Sequence, residues 1–219
     1  MELLDFARGP ALKVALIVFV AGTMWRLVSV LLLPWVRIAS EPRAGAPGTF
    51  MAALSANVSK MWPRREFLWP SLFSTANGYV FHIGLAMIVF LFAPHVLFFQ
   101  SLTGLSWGAL PNNLIYAVSV ITGASLVAAL VHRLMNPVRR LISRADDYIS
   151  WAVTFLPVLT GLAASSHLGA RYETLLAVHI LSICVLLIWF PFGRLMHAFL
   201  FAFSRGATGI RFKHRGAEV

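Results

Sequence analysis

Residues 178–197 read VHILSICVLLIWFPFGRLMH, a long and almost wholly apolar stretch with a histidine near each end. His179 and His197 are eighteen residues apart, and eighteen steps of ~100° return an α-helix to the same face. At ~1.5 Å per residue the two imidazoles lie roughly 27 Å apart along the axis, close to the apolar thickness of a bilayer. Ionisable side chains inside a membrane are costly and raise a functional-site hypothesis by default. One helix face with an imidazole near each membrane surface suits axial ligation of two haems stacked across the bilayer. The competing reading, histidines hydrogen-bonded between helices, weakens once a second helix carries a matching pair.

Composition sets the class. Of 219 residues 59% are hydrophobic and 12% charged, with a mean hydropathy of +0.79. A soluble domain of this length has no interior for so much apolar sequence, so the expected class is an all-α integral membrane protein. The net charge of +10 comes from basic residues spread through loops. That pattern sets membrane topology and does not make a phosphate-binding face, so no nucleic-acid partner is expected. Cys184 is the one cysteine and lies in an apolar span. It excludes an intrachain disulfide, an iron–sulfur cluster ligated by this chain alone, and CxxCH haem attachment, so any haem must be b-type. The start, MELLDFARGP, is acidic before it is basic and lacks a small-residue cleavage site. The first span is therefore expected to be retained.

Five apolar spans are expected in one membrane-embedded domain covering 1–219, at about 11–36, 78–99, 113–134, 148–164 and 174–203. Arg37, Arg43, Lys60, Arg64 and Arg65 fall between the first two spans, and Arg133, Arg139, Arg140 and Arg144 between the third and fourth. Arg205, Arg211, Lys213 and Arg215 follow the fifth, whereas the other side carries Arg8, Lys13 and Arg171. Positive-inside bias puts the N-terminus outside and the C-terminus in the cytoplasm of a multi-pass protein of the cytoplasmic (inner) membrane.

Span two contains FHIGLAMIVFLFAPH, with His82 toward its cytoplasmic start and His95 toward its outer end. Span five runs the opposite way, so depth pairs His82 with His197 on the cytoplasmic side and His95 with His179 on the outer side. Two antiparallel helices can thus supply bis-histidine ligation to haem iron twice. Thirteen residues separate His82 from His95, which leaves them roughly 140° apart around an ideal helix. Facing both toward span five needs a distortion, and Pro94 can provide one.

With these residues in hand, the chain resembles the haem-b gamma subunit of respiratory nitrate reductase. It also resembles the related membrane cytochromes of sulfite-reductase-linked and heterodisulfide-reductase-type complexes. The resemblance is carried by HILSICVLLIWFPFGRLMH, by FHIG in span two, by GTMWR in span one and by ADDYISWAVTFLPVLTGL in span four. FARGP and ADDY lean toward the sulfite-reductase-linked branch. The resemblance implies that His82 and His197 ligate the haem nearer the cytoplasm and that His179 ligates the outer one. The nitrate-reductase pattern has its second histidine ten residues after the first, where this chain has Phe92, so His95 is the local substitute. No basic residue of an outer quinone site has a counterpart in Ser101–Leu110, and no quinone-site residue is carried over.

Two arginines are weighed as partners of haem propionates. Arg26 lies inside span one and either pairs with an inner propionate or snorkels to the interface. Arg194, one turn before His197, has the same two alternatives with snorkelling favoured. His132 and His167 are read as interface and loop histidines, and His214 as part of a basic tail. Asp146 and Asp147 are read as N-capping residues. No Ser/His/Asp arrangement, phosphate-binding glycine loop or intramembrane carboxylate pair is present, so hydrolytic or group-transfer chemistry by this chain alone is not expected.

The expected function is that of a di-haem b subunit carrying electrons between the quinone pool and a cytoplasmic-side iron–sulfur partner subunit of a respiratory oxidoreductase complex. The direction of flow, quinol oxidation or quinone reduction, stays open. The alternative is a haem-free membrane anchor for a soluble redox enzyme. A transporter is disfavoured because intramembrane acids and broken paired repeats are absent.

Overall fold

The computed structural model describes residues 2–34, 40–167 and 169–217, and all regular structure in them is helical. Five helices are long and apolar enough to cross a membrane, so this is a multi-pass membrane protein. The first runs from Leu3 to Leu31. It consists of α1 (Leu3–Phe6), a π-helical turn at Ala7–Ala11 and α2 (Leu12–Leu31). Pro10 lies in the π turn, where its missing N–H leaves a carbonyl without its usual donor and the wider turn absorbs the mismatch. The span therefore starts eight residues before the expected Ala11 and ends at Leu31. The expected end at Val36, like Trp35 and Arg37, falls outside the described residues.

The segment expected to be loop contains α3 (Thr49–Ser59) and, after a 3₁₀ turn at Arg65–Phe67, the start of α4 (Leu68–Leu91). The second span thus begins ten residues earlier than Gly78. It also stops earlier, because Phe92 turns extended (φ −80°, ψ 127°) and a separate helix α5 (Ala93–Thr103) follows. Pro94 explains the break: inside a continuous helix it would leave the Phe90 carbonyl without a donor and clash with it. The carbonyls freed at the end of α4 find other donors. Trp107 Nε1 donates to Phe90 O, Leu110 N donates to Leu91 O at 2.8 Å, and His95 Nδ1 donates to Ile88 O at 2.8 Å.

Next come α6 (Asn112–Met135), the short α7 (Pro137–Ile142) and α8 (Ala145–Ser166), close to expectation. The fifth span departs most. α9 (Tyr172–Trp189) ends before Pro191, a 3₁₀ turn occupies Arg194–Met196, and α10 (His197–His214) is a new helix that begins on the histidine itself. His179 and His197 are not on one helix, so the expectation of a single span 174–203 is corrected. The cause lies in Pro191 and Gly193, which a regular helix does not hold without loss.

The spans pack in the order α4, α6, α8, α9, α2. Small residues allow close approach, as expected where lipid supplies no hydrophobic drive between helices. Gly22 meets the Pro191 ring, Gly84 meets Thr122, and Gly161 lies against the His179 ring, where an added Cβ would come within 3.0 Å of Cε1. α4 carries His82 and α9 carries His179, while His95 and His197 stand in the first turns of α5 and α10; α4 packs chiefly on α6, and α9 on α8 and α2.

Candidate functional site

The structure brings the four histidines together in two pairs. His82 and His197 have ring centres 6.0 Å apart with planes at 90°, and His95 and His179 have ring centres 6.2 Å apart with planes at 16°. Two metal–imidazole bonds of roughly 2 Å, plus about 1 Å from nitrogen to ring centre at each end, would place the centres about 6 Å apart in a bis-imidazole site. Both pairs have that separation. Neither pair is joined by a direct hydrogen bond among the described residues.

Local structure also fixes which nitrogen each ring offers. His82 Nδ1 donates to Gly78 O at 2.7 Å, one turn back on α4. His197 Nδ1 donates to Arg194 O at 2.8 Å in the 3₁₀ turn, and His95 Nδ1 donates to Ile88 O. A carbonyl oxygen can only accept, so Nδ1 carries a proton in these three rings, and in the neutral tautomer it is Nε2 that has the lone pair. His179 Nδ1 is 3.2 Å from Thr160 Oγ1, whose own hydroxyl donates to Leu156 O at 2.8 Å, so the imidazole is again the donor. Ser182 completes this knot, donating to His179 O at 2.7 Å and lying 2.9 Å from Thr160 Oγ1. Orientation of a ligating imidazole through its second nitrogen is the usual support in metal sites.

His95 reaches His179 through the break at Phe92. The new helix changes direction, and the bond from Nδ1 to the freed Ile88 carbonyl ties the ring back to α4. Phe92, at the position where the nitrate-reductase pattern has histidine, stacks edge-on to His95 at 5.3 Å and lines that ring's other flank.

The two arginines part company. Arg194 Nε lies 3.1 Å from Asp147 and 3.3 Å from Asp146, and Asp147, only 7% exposed, also faces Arg133 at 3.5 Å. Asp147 accepts the Arg144 N–H at 2.9 Å as well, so the capping role read from the sequence holds and an ion-pair cluster adds to it. Arg26 is exposed on α2 and makes no ion pair among the described residues. His132 packs on Phe73, His167 stacks on Tyr172 with φ +53°, and His214 bonds to Ser40 O at 2.9 Å; none of them joins the pairs. Thr160 and Ser182 were missed as site residues, and Asp146 and Asp147 were read as caps and not as partners of Arg194. Hydroxyls in apolar helices are common, and only tertiary contact reveals which of them touches a histidine.

A protein of Nitratidesulfovibrio vulgaris (strain Hildenborough), bearing the bare name "Protein", is 31% identical over 211 residues, 94% of this chain and 91% of its own length. The chain belongs to the family of that protein. No family model matches the chain, and no solved structure matches it. Among the described residues, no group of three or more His, Cys, Asp or Glu side chains is gathered as in a multidentate metal site. What this member of the family offers is two pairs of histidines, each ring held through its Nδ1.

Proposed function

We propose that the chain is a di-haem membrane cytochrome b, with His82 and His197 holding one b-type haem and His95 and His179 the other. The observation that carries this reading is the pair of imidazole separations, 6.0 and 6.2 Å, each with Nδ1 already engaged. That α4 packs chiefly on α6, and α9 on α8 and α2, is consistent with a macrocycle lying between α4 and α9. The haems supply one-electron chemistry; the protein sets their depth, spacing and axial ligands. The resemblance to the gamma subunit of nitrate reductase, and to the sulfite-reductase-linked and heterodisulfide-reductase-type cytochromes, supports electron exchange between the quinone pool and an iron–sulfur subunit.

Basic residues support an orientation with the N-terminus outside and the C-terminus cytoplasmic in the inner membrane. That orientation makes His82–His197 the cytoplasmic site and His95–His179 the outer one. The iron–sulfur partner then docks at the cytoplasmic end, where α7 carries Arg139 and Arg140 and Arg144 follows it. Arg26 remains the arginine available to an inner propionate, whereas Arg194 is held by carboxylates.

The test is the visible spectrum and haem content of the purified chain. Two haems per chain, non-covalent and low-spin in the reduced state, are expected. A colourless, folded preparation from a haem-replete host would favour the haem-free anchor.

A further inference from the structure

Two helices outside the five spans form a unit of their own. α3 and α10 run antiparallel, with the buried Ala52 and Ala56 of α3 against Gly209 of α10 and Ala53 and Asn57 against Gly206. Asn57 Nδ2 donates to Ala202 O at 3.2 Å across the same seam. The far end is closed by Arg43, whose N–H donates to His214 O at 3.0 Å and whose guanidinium donates to Gly216 O at 3.3 Å.

The pair joins the bundle on its flank and not at its tip. Tyr79 donates its hydroxyl to Met61 O just beyond α3, and Tyr79 lies eleven residues into α4, roughly 16 Å from that helix's first residue. On the other side, the Phe199 ring packs on Phe190 at 5.7 Å and on Phe19 at 6.3 Å. Beyond Phe199, α10 packs chiefly on α3 among the described residues.

The face of α3 turned away from α10 is apolar and exposed. Phe50 is 75% exposed and Val58 63%, and Met51 and Leu54 share that face. No residue of α3 is charged. The opposite face of the unit, on α10, exposes Ser204, Arg211 and Arg215. Residues 41–66 and 197–217 hold eight Lys or Arg against two acids, Glu41 and Glu66, and Arg43, Arg211, Lys213 and Arg215 gather at the far end. An apolar stripe backed by a basic face is the pattern of a helix seated in an anionic membrane surface.

We propose that α3 and α10 form a lipid-anchoring arm: the outer face of α3 lies in the leaflet nearest His82 and His197, and its basic tip binds anionic phospholipid headgroups. The depth of attachment argues for lipid over a protein partner, because an uncharged helix leaving the side of a bundle at that level enters acyl chains before it reaches water. The charge at the tip matches phosphate-bearing headgroups and makes a cationic occupant unfavourable. The inference does not rest on the haem reading.

The full-length chain, with Cys184→Ser or Cys184→Ala to remove its own thiol, is spin-labelled at Leu54→Cys, at Val58→Cys and at Ala207→Cys. Each variant is reconstituted in phosphatidylcholine vesicles with and without phosphatidylglycerol, and collision with oxygen is compared with collision with a water-soluble nickel chelate. Labels at 54 and 58 are expected to favour oxygen several-fold, and the label at 207 to favour nickel. Neutralising the tip with Arg211→Gln, Lys213→Gln and Arg215→Gln should lower the oxygen preference at 54 in phosphatidylglycerol vesicles and leave phosphatidylcholine vesicles unchanged. Nickel access at both 54 and 58 would overturn the proposal by placing the face in water. Shielding from both reagents would also overturn it, by placing a protein, either a partner or a second copy, over the face.

Discussion

His95 and His179 face each other with ring centres 6.2 Å apart and planes 16° from parallel, although His95 follows His82 by thirteen residues, a spacing that turns it away on a regular helix. The geometry is bought by ending α4 at Leu91 and starting α5 at Ala93, with His95 Nδ1 bonded to a carbonyl that the break sets free.

Replacing Pro94 with alanine should therefore act on the His95–His179 pair alone. The variant restores the N–H that lets α4 continue, which carries His95 away from His179. The expected outcome is loss of one of two haems, with the His82–His197 site unchanged, read as haem per protein. Retention of both haems would show that the break is held by Phe92 and Trp107 without the proline.

Single ligand variants should separate the two sites. His197→Ala leaves the first site with His82 as its one protein ligand, and its low-spin signal should vanish. His95→Ala should remove the other signal or convert it to high spin. An unchanged haem count and spectrum in His95→Ala would remove His95 from the site.

The two sites should also differ in electron paramagnetic resonance. Perpendicular imidazole planes keep the two iron orbitals that overlap the ligand π systems close in energy, and parallel planes split them. Oxidised protein should thus show one highly anisotropic low-spin signal, from the 90° pair, and one rhombic signal, from the 16° pair. The anisotropic signal should disappear in His197→Ala and the rhombic one in His95→Ala. Two identical rhombic signals would contradict the ring orientations.

Asp147→Asn tests the support behind His197. Asp147 is 7% exposed and pairs with Arg194, whose backbone carbonyl holds His197 Nδ1. Both arginine partners are partly solvated, at 36% and 51% exposed, so the cost is expected at roughly 1–3 kcal/mol, below that of breaking a fully buried pair. Thermal unfolding in detergent should show the loss, and the midpoint potential of the His82–His197 haem should shift while the other stays fixed. Asp147→Glu should recover most of both.

A reporter fused after Val219 tests orientation. Activity only on the cytoplasmic side is expected from the basic residues of the loops and tail. Activity only on the outer side would exchange the two haem sites and move the docking end to the other face.

The class of protein was legible in composition alone, because no soluble core of this size can hide so many apolar side chains. The third and fourth spans were legible to within a few residues, since long apolar helices end where caps and charge begin. The four histidines and their pairing by depth were also legible, because depth depends only on helix rise and alternation of direction. Their angular approach was not. His197 is aimed by the turn through Pro191 and Gly193, and His95 by the break before Pro94, where freed backbone carbonyls choose among the side chains that tertiary packing brings near. Arg194 shows the same limit: its position one turn before His197 suited a propionate, but α8 places Asp146 and Asp147 within reach first. Proline and glycine announce a break in a helix, and only the packed bundle decides where the chain goes next.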